Sequence, residues 1–479
     1  MTDHRDVVVI GAGISGLACA HRLKTHGFRV AVIEQSERAG GVMRSEVIDG
    51  YLVERGPNSM QGTEEVLALV EELGIANEML AGDPKAPALI YFNKRLHPVP
   101  NSPPALVKTE LLSARGKLRL LGEPFSGKRP TDGEESVAAF FTRRLGREVA
   151  DRLVAPFVSG IYAGDANRLS MRAAFPRLAE LEAQHGSLIR GGLAQARAAK
   201  KARQLGQSRP KRKTIRSVSF RRGLQSLPDA LAAQLGEDLL TNCSDCEIRT
   251  ADQTWHNPQS TIRNPQSGGY VVSFNRSGAP AHFTCGRVVI ATPARAAALL
   301  VAPYSPEASR LLQEVEYPPL TVLSLAYDKA AIRDSLYGFG FLAAPDEGLR
   351  TLGCLYSSSL FPGRAPAGKA LLTTFIGGAR NPDAARLDDA ELAATVHNEL
   401  RGILGILSEP RVIAITRWER AIPQYNLGHV ERVRRIEGLL REQAGIALTG
   451  NYLHGVSVGD CIKEANRTAR GLSASGQPS

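Results

Sequence analysis

Residues 7–16 read Val7-Val-Val-Ile-Gly-Ala-Gly-Ile-Ser-Gly16, an apolar run followed directly by three closely spaced glycines. The run is typical of a buried parallel strand, and the glycines let the backbone turn into a helix whose first N–H groups can approach a diphosphate. A second apolar run, Phe28–Ile33, follows a helix-like segment and ends at Glu34. This acid lies about 20 residues beyond the glycines, where a carboxylate binds ribose hydroxyl groups. Strand, helix, strand and acid in this order predict a dinucleotide-binding unit that takes FAD or NAD.

The residues that follow Glu34 resemble a large flavoprotein group that includes amine oxidases, carotenoid desaturases and protoporphyrinogen oxidases. The resemblance is carried by Glu37-Arg-Ala-Gly-Gly41, Val42-Met-Arg-Ser45, Tyr51 and Gly56-Pro-Asn-Ser59. In that group the Arg-x-Gly-Gly element extends the diphosphate site, so Arg38, Gly40 and Gly41 take that role by resemblance. The resemblance therefore implies FAD as the cofactor.

The same resemblance supplies the expected cofactor-binding residues. FAD is expected to be non-covalent, because we identify no aligned cysteine or histidine that could tether it. The expected residues are Gly11, Gly13, Ile14, Ser15, Gly16, Glu34, Gln35, Arg38, Gly40, Gly41, Gly56, Pro57, Asn58, Ser59, Asn451, Val456, Ser457 and Val458.

Length and composition describe an ordinary globular chain. It has 479 residues, of which 43% are hydrophobic and 22% charged, so we expect two or three domains. The charged start, Met1-Thr-Asp-His-Arg-Asp6, runs straight into the first strand and leaves no room for a signal peptide. No apolar stretch approaches the ~20 residues of a membrane-spanning helix. We therefore expect a cytoplasmic protein.

The six cysteines are too dispersed for a disulfide framework. The pair in Cys243-Ser-Asp-Cys246 has the spacing of a zinc or redox site, but a zinc site needs four ligands and no second pair follows. We interpret the pair as two small residues in a strand of the flavin domain, and we expect no metal site.

The excess positive charge has a local source. Lys and Arg outnumber Asp and Glu by 59 to 48, and residues 190–222 contain twelve of the basic residues and no acid. Such a segment can be a solvated loop, an attachment to anionic lipid or a nucleic-acid contact. Its single aromatic residue, Phe220, gives bases little to stack on, so we expect no nucleic acid. We expect peripheral attachment to the inner face of the membrane, with the solvated loop as the alternative.

Further stretches are similar to the oxygen-dependent, FAD-containing protoporphyrinogen oxidase family over essentially the whole chain. They are Phe157–Asp165, Leu169–Phe175, Gly338–Leu342, Thr351–Pro362, Leu371–Gly378 and Leu448–Ile462. The resemblance implies six-electron oxidation of protoporphyrinogen IX to protoporphyrin IX in haem biosynthesis. Molecular oxygen would be the acceptor and hydrogen peroxide a product.

The resemblance also implies how the substrate is held. Leu342 and Leu355 should sandwich one pyrrole, Phe375 should stack near another, and the Ala163-Gly164 backbone should turn carbonyls towards the macrocycle. That the three large residues are plain core residues on strands is the alternative. The propionate-binding arginine of some family members does not align cleanly here: the aligned position is Phe92, and Lys94 and Arg95 are the nearest cations, so the partner of the propionate is left open. We assign no general acid or base, since no triad spacing is present and hydrogen transfer to a flavin needs none.

Three other functions remain open. One is the same oxidation of coproporphyrinogen III, which carries four carboxylates in place of two. The second is a flavin amine oxidase, for which Tyr452 lacks a convincing aromatic partner. The third is a non-catalytic, lipid-associated FAD-binding scaffold. A homodimer is also left open.

We predict an α/β fold with three parts. A discontinuous Rossmann-like FAD-binding domain takes residues 1–60, 215–300 and 430–479. A mixed-sheet substrate-binding domain takes residues 61–95 and 301–429. A mainly helical, basic, membrane-associating domain takes residues 96–214.

Overall fold

The structure is a computed structural model that describes residues 3–127, 133–204, 214–250, 269–443 and 445–474. Its strands are β1 Asp3–Ile10, β2 Val30–Ile33, β3 Ser45–Ile48, β4 Tyr51–Glu54, β5 Met60–Gly62, β6 Met79–Ala81, β7 Ala88–Phe92, β8 Arg95–Pro98, β9 Ile215–Phe220, β10 Leu239–Leu240, β11 Cys243–Thr250, β12 Tyr270–Arg276, β13 Ala279–Ile290, β14 Leu320–Asp328, β15 Gly340–Ala343, β16 Thr351–Leu355, β17 Lys369–Gly377, β18 Arg411–Trp418 and β19 Ile446–Leu448.

The α-helices complete the fold. They are α1 Ile14–Thr25, α2 Glu64–Glu72, α3 Pro103–Lys108, α4 Ala114–Leu121, α5 Val137–Leu145, α6 Arg147–Val149, α7 Ala155–Tyr162, α8 Met171–Ala174, α9 Pro176–His185, α10 Leu188–Gln204, α11 Ser226–Leu235, α12 Ala294–Val301, α13 Pro306–Gln313, α14 Ser357–Leu360, α15 Asp389–Leu404, α16 His429–Arg441 and α17 Val458–Ala474.

The first large sheet is built around β1, and the glycine turn lies at the carboxyl end of that strand. Its strand order is β10-β2-β1-β13-β12-β11, and β19 also pairs with β13. β1 runs parallel to both β2 and β13, while β12 is antiparallel to β13. Val7 and Val9 belong to the hydrophobic core under α1, α11 and α17, whereas Val8 and Ile10 belong to the core under α12, α13 and α16. A strand covered on both faces must be apolar throughout, which is why Val7–Ile10 contains no polar residue.

The second large sheet has the order β18-β14-β17-β16-β15-β7-β8. Its pairs are antiparallel except β15 with β7, which makes the sheet mixed. One face is the wall of a core in which Phe341, Cys354 and Ile376 pack with α15. Side chains alternate between the two faces of a strand. The neighbours Leu342, Leu355 and Phe375 therefore point to the opposite face.

Helices α3–α10 lie between β8 and β9, and α4, α5 and α6 pack on one another. A buried ion pair between Arg144 and Glu123 holds this part together, and Glu123 also accepts hydrogen bonds from the backbone N–H groups of Leu188 and Ile189. These bonds join the turn at residues 123–125 to the start of α10.

The predicted α/β class is confirmed, and the predicted first strand, helix and second strand correspond to β1, α1 and β2. β11 contains both Cys243 and Cys246, as predicted, and all six cysteines are unpaired. No helix among the described residues is long and apolar enough to cross a membrane. Residues 205–213, which carry the densest part of the basic segment, lie outside the described residues.

Candidate active site

The glycine turn between β1 and α1 has the geometry that a diphosphate site needs. Gly11 has a φ of +103°, and a Cβ on Gly16 would lie 1.9 Å from the Gly11 carbonyl oxygen, so neither position accepts another residue without distortion. α1 has no side-chain cap and no acid in its first turn. Its first N–H groups are therefore available to an anion. No atom lies within 4 Å of the position a Cβ would take on Gly13, so the cradle is open where a ligand would approach.

Glu34 directly follows β2, so it lies with the glycine turn at the carboxyl ends of the parallel strands. Its carboxylate accepts hydrogen bonds from Ala12 N, at 2.7 Å, and from the Ser36 hydroxyl, at 2.6 Å. The acid therefore ties the glycine turn to the end of the second strand. Gln35, the next predicted residue, is exposed beside it. The predicted order of strand, turn and acid is thus brought together in space.

Arg38 shapes the second glycine pair. Its guanidinium donates to the carbonyl oxygens of Gly41, at 2.7 Å, and Met43, at 3.1 Å. Gly40 N donates to Ala12 O at 2.8 Å, which seats the Gly40-Gly41 turn on the first loop. Burial, together with the neighbouring Arg44, lowers the pKa of Arg38. In this structure the arginine supports the loop, and it donates to backbone oxygens and to Gln225 Oε1.

The Gly56–Ser59 segment lies partly exposed after β4. A Cβ on Gly56 would meet the Val42 carbonyl oxygen at 2.0 Å, so the segment crosses the chain after Gly41 at backbone distance. Asn58 Nδ2 donates to Gly56 O at 3.1 Å. Pro57 and Ser59 flank this amide.

A second helix N-terminus joins the cradle at α17. The Ser457 hydroxyl caps it by accepting from Asp460 N at 3.1 Å, between the predicted cofactor residues Val456 and Val458. Burial raises the pKa of the Cys461 thiol and the nearby Ser15 hydroxyl opposes that shift, so the first turns of α1 and α17 lie side by side. Two converging helix N-termini beside open glycines favour a negatively charged ligand. The residues present therefore fit the diphosphate of FAD.

The three residues expected to hold the pyrroles are Leu342, Leu355 and Phe375, and they lie on one face of the second sheet. We call these residues the clamp and this face the clamp face. Leu342 pairs with Gly353, which pairs in turn with Phe375, so these three form one row across β15, β16 and β17. Leu355 stands two residues beyond Gly353 on the same face. All three large side chains are partly exposed, and none belongs to a hydrophobic core formed by the described residues. The arrangement therefore differs from that of plain core residues.

Helix α7 closes one side of this face. A Cβ on Gly160 would lie 2.2 Å from Leu342 Cδ2, so the helix rests directly on the leucine. Ala163 ends α7 in the left-handed conformation, with φ +47° and ψ +34°. Its carbonyl oxygen accepts a hydrogen bond from Ala379 N at 2.7 Å. That the backbone carbonyls at Ala163-Gly164 face the macrocycle stays a prediction. Gly164 is buried against Gln424, whose Nε2 donates to Tyr162 O at 2.8 Å.

The two cations nearest in sequence to the expected propionate-binding position lie outside the clamp. Lys94 and Arg95 are exposed at the tip of the β7–β8 hairpin, whose Asn93 and Lys94 both have positive φ. Phe92 packs under Arg152, with the guanidinium carbon 4.7 Å from the ring centre.

A buried arginine that sequence reasoning missed lies next to Leu355. Arg364 is 2% exposed, and its Nη2 donates to the Ser219 hydroxyl at 2.5 Å and lies 3.2 Å from Glu54 Oε1. Burial raises the pKa of Glu54, and Arg364 opposes that shift. Among the described residues, Nη1 has no hydrogen-bond partner. Arg364 lines a small cavity that is lined also by Asn58 and Leu355, between the cofactor segment and the clamp.

One further cluster of possible ligand atoms lies at the C-terminal helix. Glu437, His454 and Glu464 come together, but Arg467 donates to both glutamates. Hydrogen bonds from His454 and Arg467 outweigh burial and lower the pKa of Glu437 to about 2. The cluster is therefore a compensated ion network.

Comparison with known sequences assigns the chain to a family. Residues 14–473 match the model of the flavin containing amine oxidoreductase family. The chain is 36% identical over 480 residues to a chloroplastic protoporphyrinogen oxidase of Nicotiana tabacum, covering 97% of this chain and 84% of the relative. It is also 27% identical over 478 residues to a coproporphyrinogen III oxidase of Bacillus subtilis (strain 168), covering 96% of each.

Solved structures share the fold. A crystal structure of a protein from Exiguobacterium sp. 255-15 superposes with a TM-score of 0.78 at 23% identity, covering 99% of this chain and 100% of that one. A putrescine oxidase bound to putrescine gives 0.66 at 17% identity, with 99% and 100% covered. The chain therefore belongs to the flavin containing amine oxidoreductase family and is an FAD-dependent oxidoreductase.

Proposed function

We propose that this enzyme oxidises protoporphyrinogen IX to protoporphyrin IX in tetrapyrrole biosynthesis, with molecular oxygen as acceptor and hydrogen peroxide as product. Full-length similarity to protoporphyrinogen oxidases carries the proposal. Bound FAD would accept the hydrogen that is removed from carbon. The role of this chain's residues is to hold a large apolar macrocycle against the flavin and to keep water away.

The clamp face suits such a substrate. Leu342, Leu355 and Phe375 offer an apolar surface beside Asn58, which belongs to the cofactor segment. Apolar walls with few polar groups are typical of sites for large organic ligands. We propose these three residues, with Ala163 and Gly164 behind them, as the substrate site. We further propose the cofactor residues named from the sequence as the FAD site.

Coproporphyrinogen III is the second candidate substrate, because one relative is a coproporphyrinogen III oxidase. It carries four carboxylates, and an apolar wall penalises each unpaired one by its desolvation. Lys94 and Arg95 are at a hairpin tip, and the buried Arg364 has one nitrogen without a partner. This supply of cations suits two carboxylates better than four.

The test is a direct comparison of the two porphyrinogens. Each is prepared anaerobically and supplied under air, and porphyrin fluorescence and peroxide are followed. We expect the higher kcat/KM with protoporphyrinogen IX. A higher value with coproporphyrinogen III would overturn the substrate while leaving the cofactor and reaction type in place.

We also propose the three-domain division given above, and attachment of residues 96–214 to the inner face of a membrane. Leu118 is 70%, Leu121 66% and Phe125 87% exposed on α4 and the turn after it. Glu123 ties that turn to α10, whose start carries Arg190. Exposed apolar side chains beside cations are what a peripheral membrane surface presents.

Vesicle flotation tests this attachment. We expect binding to anionic vesicles that weakens with salt and is reduced in a Leu118→Ser/Phe125→Ser variant. Leu299→Ser is the matched control, since Leu299 is 71% exposed on α12, outside residues 96–214. Equal binding by the two variants, or none by the wild type, would refute the proposal.

A further inference from the structure

We propose that Tyr425 and His429 are positioning residues that hold the loop at residues 451–455 in the conformation that binds FAD. The inference rests on the cofactor role proposed above for Asn451 and Val456–Val458. Neither residue lies in a glycine motif or in the clamp. His429 is the first residue of α16 and Tyr425 lies four residues before it, and both act through the backbone of the loop.

The Tyr425 hydroxyl closes the loop. It donates to Asn451 O at 2.5 Å and accepts from Gly455 N at 2.7 Å. One oxygen atom therefore joins both ends of a five-residue loop. Tyr425 is 1% exposed, so water cannot replace these bonds.

His429 holds the middle of the loop and supports the tyrosine. Its Nε2 lies 3.1 Å from Leu453 O, and because a carbonyl oxygen only accepts, Nε2 carries the proton. The two rings stack with centres 4.0 Å apart and planes 15° from parallel. Three backbone groups of the loop are thus fixed by two stacked, buried side chains.

The surroundings keep His429 neutral. Burial lowers its pKa to about 4, helped by Arg432 and His454 and opposed by Glu134 and the bond to Leu453. Its Nδ1 has no hydrogen-bond partner among the described residues, so a second proton there would be unsatisfied. The neutral tautomer that donates to the loop is therefore the stable one.

The loop leads directly into the N-terminus of α17, which converges with that of α1. A shift of Asn451 or Gly455 would move Val456 and the Ser457 cap with it. Loss of the Tyr425 hydroxyl should therefore weaken FAD binding more than it weakens the fold.

The chain offers a matched control in a second buried tyrosine–histidine pair. The Tyr327 hydroxyl lies 3.2 Å from His397 Nδ1, and the rings stack at 6.0 Å. This pair belongs to the core around α15, on the second sheet. Tyr327→Phe removes the same hydroxyl without touching the loop.

The experiment measures FAD dissociation from the purified holoenzyme by flavin fluorescence, with the flavin absorption spectrum and the thermal midpoint recorded in parallel. We expect Tyr425→Phe to raise the FAD dissociation constant roughly tenfold, the effect of about one to two net hydrogen bonds. Tyr327→Phe should lower the thermal midpoint and leave the dissociation constant within about twofold.

A second variant pair keeps the inference testable if Tyr425→Phe fails to fold. His429→Gln retains a donor for Leu453, whereas His429→Leu does not. Retention of FAD should therefore be better in the glutamine variant at equal thermal midpoint. Equal FAD affinity in wild type and Tyr425→Phe, or equal losses in Tyr425→Phe and Tyr327→Phe, would overturn the inference. Failure of the wild-type holoenzyme to oxidise either porphyrinogen, with the FAD affinities of the variants as expected, would count against the proposed function instead.

Discussion

Substituting Leu355 by alanine should show whether this side chain binds the substrate or only packs in the core. Leu355 is partly exposed on the clamp face, and Leu372, on the neighbouring strand, is 0% exposed in the core on the other face of the sheet. The two leucines thus offer the same substitution on opposite faces of one sheet. Leu355→Ala should mainly lower kcat/KM, whereas Leu372→Ala should mainly lower the free energy of unfolding.

The magnitudes follow from burial. A leucine side chain that is buried by a bound ligand contributes about 1–3 kcal/mol, which corresponds to a roughly 5- to 150-fold loss in kcat/KM for Leu355→Ala. Its loss of fold stability should be small, because the side chain is already partly exposed. Leu372→Ala should instead cost about 2–5 kcal/mol of unfolding free energy, with little change in kcat/KM for the folded fraction.

Three measurements decide between the two roles. Porphyrin fluorescence gives kcat/KM with protoporphyrinogen IX, urea unfolding gives stability, and absorbance after desalting gives FAD content. FAD content should be unchanged in Leu355→Ala. The opposite result would be a Leu355→Ala variant that loses FAD and as much stability as Leu372→Ala, with kcat/KM per folded enzyme at the wild-type value. Leu355 would then be a core residue and would not contact the substrate.

Three further predictions concern the cofactor, the α7 terminus and pH. Acid or heat denaturation should release yellow flavin into the supernatant, and colour that stays with the precipitate would contradict non-covalent binding. Ala163→Gly should stabilise the protein by up to about 1 kcal/mol in urea unfolding, because alanine at φ +47° is strained. The control Ala232→Gly, inside α11, should destabilise by about 1 kcal/mol, and a loss in both variants would argue against strain at Ala163. Burial holds the pKa of His429 at about 4 against 6.5 ordinarily, so the unfolded chain binds its proton first and the stability that His429 contributes is lost as pH falls from 6.5 to 4. His429→Gln should flatten that part of the stability–pH profile, and an unchanged slope would show that other groups control it.

The parts predictable from the sequence are those in which neighbouring residues decide the structure. Val7–Gly16 combines a fully apolar run with glycines at required positions, so both the strand and the turn could be predicted locally. Gly16 shows why, since a Cβ there would meet Gly11, only five residues earlier in the chain.

The parts that could not be predicted depend on distant residues or on unusual turns. Arg364 meets Ser219, 145 residues away, and no local pattern marks either residue. Tyr425 reaches Gly455 across 30 residues in the same way. The β7–β8 hairpin turns through Asn93 and Lys94, a pair with positive φ but no glycine, so its turn gave no strong signal.

The position of β1 at the centre of the first sheet constrains how the protein is made. β1 pairs on one side with β13 and on the other with β2, and β19 completes the parallel part only at residues 446–448. The core beneath β1 also takes Val458, Cys461 and Ile462 from α17. During translation, the early βαβ unit therefore has an uncovered apolar face until the last of these segments has left the ribosome. We therefore expect FAD to be captured only after the residues of α17 have been synthesised.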